Sequence, residues 1–407
     1  MDLKKIKPVR IKQPHFIWPE KEKKIALKLS KYFLTNKIGK NGLPDIIEKF
    51  ESNFKKENKS KYCLALSSGT AALHIAYLAS GIKMNDEVII SDYTFPATVI
   101  PLFLIGAKPV LCDVDRKFAN IDPHKIEKLI TKKTKAISVT HWWGQPCEME
   151  KIVKISKKYN LKLIEDCAHS PGAKYKNKLV GNFGDFGCFS LDNNKLLASG
   201  EGGVLVTNNY DNYQKAILLS DFGSRLYKDI KSPKYRKFIQ TGLGTKYRIH
   251  FLAAKLANEK LKNIRKMNSE RKKIFDFFTK KISNSKILIP PKSIKNFKRG
   301  GFYGYKVIVK KNKNLGIDKL IKILKIKNVD ARKTVTPPLH MTNTFNTRRI
   351  GDIHKGYSLF YKKNSLPNSK WFHNNHISFP SFFNKKHLKI INEYVRVINQ
   401  IEKNYLK

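Results

Sequence analysis

Residues 62–82 read YCLALSSGTAALHIAYLASGI, with no Lys, Arg, Asp or Glu, in a chain where about one residue in six is lysine. The stretch is long enough to span a bilayer as a helix. Ser67-Ser68-Gly69-Thr70 divides it, however, into a short apolar run, a turn and a helical segment. Read that way, it is a buried strand feeding a helix, the opening unit of an α/β sheet. No second apolar span accompanies it, and the N-terminal MDLKKIKPVRIKQPHF has charge without the apolar core of a signal peptide. The chain is therefore expected to be soluble and cytoplasmic, with no membrane insertion.

The pattern continues outward from this unit. The runs EVII (87–90), KPVLC (108–112), KAISV (135–139), LKLIED (161–166) and GVLVT (203–207) read as buried strands. Helical segments at 71–80, 123–131 and 148–159 lie between them. Strands alternating with helices imply a mainly parallel sheet covered on both faces. A stretch at 249–282 reads as one helix leading away from this sheet. Beyond it, a strand (302–309) and helices at 317–326 and 386–404 suggest a smaller α+β domain. The expected division is an N-terminal arm (1–38), a large α/β domain (39–260) and a smaller C-terminal domain with its connecting helix (261–407). With 407 residues and 41% hydrophobic residues, the chain can bury substantial cores.

The formal charge of +49 invites a polyanion-binding reading. Only 12 of the 81 basic residues are Arg, and the lysines are scattered rather than gathered into an arm or stripe. That is the mark of a compositional bias, so no specific nucleic-acid partner is expected. The five cysteines include no CxxC pair, which argues against a disulfide framework and a structural zinc site. The pair His373 and His376 has no Cys or carboxylate nearby and reads as a surface loop rather than a metal site.

In α/β sheets the ligand site forms at the carboxyl ends of the strands. Three groups fall there. Ser68, Gly69 and Thr70 stand where a strand turns into a helix, offering free N–H groups and a hydroxyl to a phosphate, although Ser and Thr are also ordinary N-caps. Asp166 closes an apolar strand, where its carboxylate needs a cationic or hydrogen-bonding partner, and His169 follows three residues later. Lys195 is the sole Lys or Arg between Leu179 and Gln214. A lysine set apart from charge and water loses proton affinity and becomes a nucleophile that forms imines. A phosphate cradle, a partner for a ring nitrogen and an imine-forming lysine together describe a site for pyridoxal 5′-phosphate (PLP).

The motifs SSGTAALHIA, NDEVIISDYTFPAT, GAKPVLCDVD, KKTKAISVTHWWGQPCEMEKI, LIEDCAHSPGAKY, GNFGDFGCFSLDNNK with SGEGG, and KYRI occur in one order between about Gly39 and Leu261. In this the chain resembles the DegT/StrS sugar-nucleotide aminotransferases, a group of fold-type I PLP enzymes. The resemblance implies that Gly69 and Thr70 hold the cofactor phosphate and that Phe95 stacks on the pyridine ring. It further implies Asp166 at the ring nitrogen, His169 near the ring hydroxyl, Ser190 as a second phosphate ligand and Lys195 as the residue bonded to the cofactor. It also implies a homodimer with shared active sites, in which Lys246 reaches the phosphate of the neighbouring subunit's cofactor.

Some positions depart from the family pattern. Lys246 stands where Asn is usual, Leu191 where Phe is common, and Val335 where an aromatic is common. Arg332 and His340 keep their places in the substrate-side motif ARKTVTPPLH. The expected activity is transfer of an amino group from L-glutamate or glutamine to a nucleotide-linked keto sugar, for amino-sugar or surface-polysaccharide biosynthesis. The same fold also serves cyclitol and aromatic-ring aminotransferases, and sugar dehydratases that use the pyridoxamine form and usually carry His at the lysine position. A polyanion-binding protein on a retained enzyme fold is the alternative outside enzymology, and the intact cofactor-facing residues weigh against it.

Overall fold

A computed structural model describes residues 6–11, 23–25, 27–28, 45–334, 336–346, 361–362 and 364–405. Tyr62–Leu66 is strand β1 and Gly69–Ala79 the helix that follows, so the uncharged stretch is divided between sheet and helix. No helix of the described residues is long and apolar enough to cross a membrane.

Six more strands join β1: β2 (Glu87–Ser91), β3 (Lys108–Cys112), β4 (Thr134–Thr140), β5 (Lys162–Asp166), β6 (Phe186–Ser190) and β7 (Gly203–Thr207). Their order is β1-β7-β6-β5-β4-β2-β3. Only β7 runs against the rest, pairing antiparallel with both β1 and β6. The strands are apolar throughout because both faces are covered. On one face Ala72, Ile75 and Tyr77 of the helix 69–79 pack over Phe186 and Leu205, and elsewhere Ile152 packs with Ile137 and Leu163. Strands β1, β2, β4, β5 and β6 end at one edge of the sheet, and the loops there meet the second part of the chain.

That second part holds β8 (Leu288–Ile289), β9 (Tyr305–Val309) and β10 (His376–Phe379), an antiparallel sheet in that order. Alternate residues of β9, namely Tyr305, Val307 and Val309, are buried in a core with Phe278, Ile391 and Ile398. Lys306 and Ile308 occupy the other face, toward the large sheet's loops. Ile6 and Val9 of the N-terminal region belong to this second core, and Val9 N donates to Lys327 O at 2.9 Å.

Two sequence readings need correction. The stretch 249–282 is two helices, Phe251–Leu261 and Ile264–Lys281. Asn263, at φ −111° and ψ 7°, leaves the helical region between them while Leu261 and Ile264 both stay buried. The His373–His376 stretch is no surface loop: it is the end of the helix Pro367–Asn375 and the first residue of β10. His376 is fully buried, taking the Thr334 hydroxyl on Nε2 at 2.6 Å and giving its Nδ1 proton to Phe372 O at 2.7 Å. Burial, with the Lys306 charge next, pushes its pKa down to about 3.

Candidate active site

The helix 69–79 begins at one end of a cavity of about 510 Å³, within the range of small-molecule sites. Ser68 is its N-cap: extended at φ −161°, it accepts the Ala71 N–H on Oγ at 3.0 Å. Its oxygen is thereby engaged as an acceptor and its own proton stays available, while the N–H groups of Gly69 and Thr70 belong to the first turn, which has no helical partners. A Cβ on Gly69 would stand 3.0 Å from Ser190 Cβ, so glycine lets the end of β6 approach the helix start. Ser190 Oγ accepts from Asp192 N at 3.3 Å, which leaves its own proton free to be donated. Amides and a hydroxyl thus converge where the dipole of the helix favours an anion.

Asp166, at the end of β5, is 4% exposed. Its Oδ2 accepts from the Thr98 hydroxyl at 2.7 Å and its Oδ1 from Ala168 N at 3.0 Å. Burial pushes its pKa up, and these two bonds and the Lys195 charge oppose that rise. A buried carboxylate held by neutral donors is stabilised further by any cation brought against it.

Lys195 lies in the turn after β6, where its N–H bonds to Asp192 O at 2.9 Å. Its amine sits 4.3 Å from the centre of the Tyr303 ring. Burial lowers its pKa, against the pull of Asp166 and Asp192. His169 stacks on the other partner of this group, its ring 4.0 Å from Tyr303 and inclined by 10°. The imidazole Nδ1 accepts from Trp143 N at 3.4 Å, which puts the proton of the neutral ring on Nε2. Burial first, then the charges of Lys195 and Lys306, hold its pKa well below the usual value. Trp142 and Trp143, both buried, close this side of the cavity, and Phe95, 54% exposed, stands at its lip.

Of the eleven residues singled out from the sequence, nine line this one cavity: Ser68, Gly69, Thr70, Phe95, Asp166, His169, Ser190, Lys195 and Arg332. His340 does not. It is fully buried behind β2, where its N and Nδ1 contact the two oxygens of Asp92 at 2.9 and 2.7 Å. It fastens the 336–340 segment to the loop after β2. Lys246 is exposed on the approach to the helix 251–261 and outside the cavity lining. Val335 lies outside the described residues. Sequence reading missed Tyr303, Lys306 and Ser378, all in the lining. The alternation in YKVIV (305–309) could have placed Lys306 on the face opposite the core, but one lysine among so many carries no signal.

A second polar group, His141 with Glu165 and Cys167, is also buried, but the imidazole and the carboxylate are already committed. His141 Nδ1 accepts from Cys147 N at 3.0 Å, so its Nε2 donates to Glu165 Oε2 at 3.0 Å. Glu165 also collects the N–H groups of Gly181, Phe183 and Gly184 at 2.8, 2.6 and 2.8 Å. This cluster anchors the loop between β5 and β6.

Comparison with known proteins agrees with this geometry. An uncharacterized protein of Methanocaldococcus jannaschii is 33% identical over 82% of this chain and 84% of its own length. GDP-perosamine synthase of Escherichia coli O157:H7 is 37% identical over 58% of this chain and 63% of its own. Among solved structures, an aminotransferase from Psychrobacter cryohalolentis superimposes with a TM-score of 0.84 at 26% identity, covering 97% of this chain and all of that one. The sequence profile of the DegT/DnrJ/EryC1/StrS aminotransferase family matches residues 22–398, and the chain belongs to that family.

Proposed function

We propose that the protein is a PLP-dependent aminotransferase that moves an amino group from L-glutamate or glutamine to a keto sugar carried on a nucleoside diphosphate. The observation that carries this is the convergence, in one cavity, of Lys195, Asp166 and the helix start at Gly69 and Thr70. These groups fit the cofactor. Gly69, Thr70 and Ser190 supply donors for its phosphate, Asp166 a buried carboxylate for its ring nitrogen, and Phe95 and His169 flank its ring. PLP supplies an electron sink for the pair released when the donor Cα–H bond breaks. Lys195 Nζ takes that proton, a role suited to an amine whose proton affinity burial has lowered. Asp166 keeps the ring nitrogen charged, and the walls formed by Trp142 and Trp143 exclude water.

In this reading residues 39–260 are the cofactor-binding domain and 261–407 the domain that faces it. The enzyme works in the cytoplasm as a homodimer, with exposed Lys246 reaching the partner subunit's site. The sugar substrate draws support from the activities of relatives, among them GDP-perosamine synthase and a dTDP-3-amino-3,6-dideoxy-galactopyranose transaminase of Aneurinibacillus thermoaerophilus, 37% identical over 60% of this chain.

The test is a panel of nucleotide-linked keto sugars incubated with the PLP-loaded protein and glutamate. Formation of an amino sugar with stoichiometric 2-oxoglutarate is expected. Deoxygenation of a sugar without net amine transfer would make the protein a dehydratase instead.

A further inference from the structure

Lys306 on β9 stands directly opposite Ser378 on β10. Ser378 is bridged in turn to Arg332, with Arg332 N donating to Ser378 O at 3.1 Å and Ser378 N to Arg332 O at 2.8 Å. Residues opposite one another on neighbouring strands share a face. Here that face is a wall of the active-site cavity, which all three residues line. Lys306, half-buried, and Arg332, exposed, therefore flank Ser378 on this wall. Lys306 Nζ bonds to Ser378 Oγ and lies 4.9 Å from the centre of the Trp143 ring. The backbone makes room for it: at Gly304, φ +70°, a Cβ would come within 3.1 Å of the amine.

Neither cation has a counterion among the described residues. Among the described residues no carboxylate lies within 4.0 Å of Lys306 or Arg332, whereas the neighbouring Lys333 is paired with Asp318 at 2.7 Å. The other titratable groups facing the Lys306 amine are Arg332, His169 and His376, and its charge acts on both imidazoles against their protonation. Burial, and after it Arg332, bring the pKa of Lys306 down to about 7. An anion placed between the half-buried amine and the exposed guanidinium would gain a charge-assisted contact from each.

We propose that Lys306, with Arg332, forms the subsite for the carboxylate of the amino donor. Lys306 is a positioning residue that sets which donor enters. The inference rests on the aminotransferase reading and adds the group that recognises the first substrate. Reach selects the carboxylate over the diphosphate of a nucleotide sugar. Both Lys195 and Lys306 act electrostatically on His169, so the two amines share one neighbourhood. In an amino acid the α-carboxylate is one bond from the carbon that reacts, whereas a sugar ring separates the phosphates from a keto carbon.

The experiment titrates the PLP-loaded protein with glutarate, a dicarboxylate without an amine, and separately with GDP. Heats are read at about pH 8 in two buffers of different ionisation enthalpy, where the amine is largely neutral before the anion arrives. Glutarate is expected to bind with net proton uptake. Lys306→Met should weaken glutarate about ten-fold, the loss of one charge-assisted contact, and abolish the uptake. GDP binding and the absorbance of the bound cofactor should be unchanged. Unaltered glutarate affinity, or a loss confined to GDP, overturns the proposal. If Lys306→Met does not fold, Lys306→Arg decides: glutarate bound without proton uptake supports it, and uptake equal to the wild type overturns it. Failure of the aminotransferase reading would look different, as absence of 2-oxoglutarate from glutamate in a single turnover while glutarate still bound.

Discussion

The hydroxyl of Thr98 donates to Asp166 Oδ2 at 2.7 Å, and that bond orients two further threonines. Thr98 has one proton and spends it on the carboxylate, so Thr94 must donate to Thr98 at 2.9 Å and Thr140 to Thr94 at 2.8 Å. The three hydroxyls point in one direction, toward Asp166, and polarise one another. Thr98→Val removes the donor at the carboxylate while keeping the side-chain shape. A hydrogen bond to a charged group contributes about 1.5–3 kcal/mol, so kcat/KM should fall at least about ten-fold. Steady-state kinetics with glutamate checks this, and the melting temperature should fall as well, because the buried carboxylate loses the same bond.

Asp166 itself trades stability for function. Its folded pKa lies above the ordinary carboxylate value, so the unfolded chain releases the proton first. Folding without a cation in place therefore costs stability above the folded pKa, and the cost disappears as pH falls into the ordinary carboxylate range. Apo Asp166→Asn should melt higher than apo wild type at neutral pH, since Asn can still accept Ala168 N–H and the Thr98 hydroxyl can turn to accept from its amide. The difference should close on acidification. PLP should then raise the melting temperature of the wild type more than that of Asp166→Asn.

Subunit sharing is open to complementation. Lys195→Ala and Lys246→Ala should each be inactive alone. In a two-fold dimer with shared sites, a hybrid carries one site with both lesions and one with neither. Random exchange of an equal mixture should restore roughly a quarter of wild-type activity, because half of the dimers are hybrids with one good site of two. No recovery, with exchange confirmed by tagged subunits, would place Lys246 outside a shared site.

His340 should behave as a structural residue. His340→Ala leaves buried Asp92 without the hydrogen bond from the imidazole, a change that costs about 1–3 kcal/mol. Denaturant unfolding should report that loss. The KM for the sugar nucleotide, measured below the melting range, should stay within about two-fold of wild type.

The seven-stranded sheet was legible wherever a strand is an unbroken apolar run: KPVLC and GVLVT coincide with β3 and β7 to the residue. Strand β6, FGCFS, escaped notice because glycine and serine dilute its run. The 249–282 stretch misled because hydrophobic spacing does not register a one-residue departure such as Asn263. His376 misled because its partners, Thr334 and Phe372, come from elsewhere in the chain or from one helical turn back, which spacing does not reveal. Lys195 stood out because its surroundings are cleared of charge. Lys306 carries an amine in the same cavity, but Lys310 and Lys311 follow it closely and composition hid it.

The reversed strand β7 also governs when the site can come into being. Among the described residues β7 is the only strand of the sheet that pairs with β1, and the last residue of β1, Leu66, also bridges Arg248. The turn at Ser68 and Gly69 is therefore fixed by a segment that a ribosome delivers only after about half of the chain. Until then β1 is a bare apolar ribbon, and pairing it means closing a loop that spans most of the sheet. Such distant pairings are slow to form and leave the nascent chain exposed to misassociation.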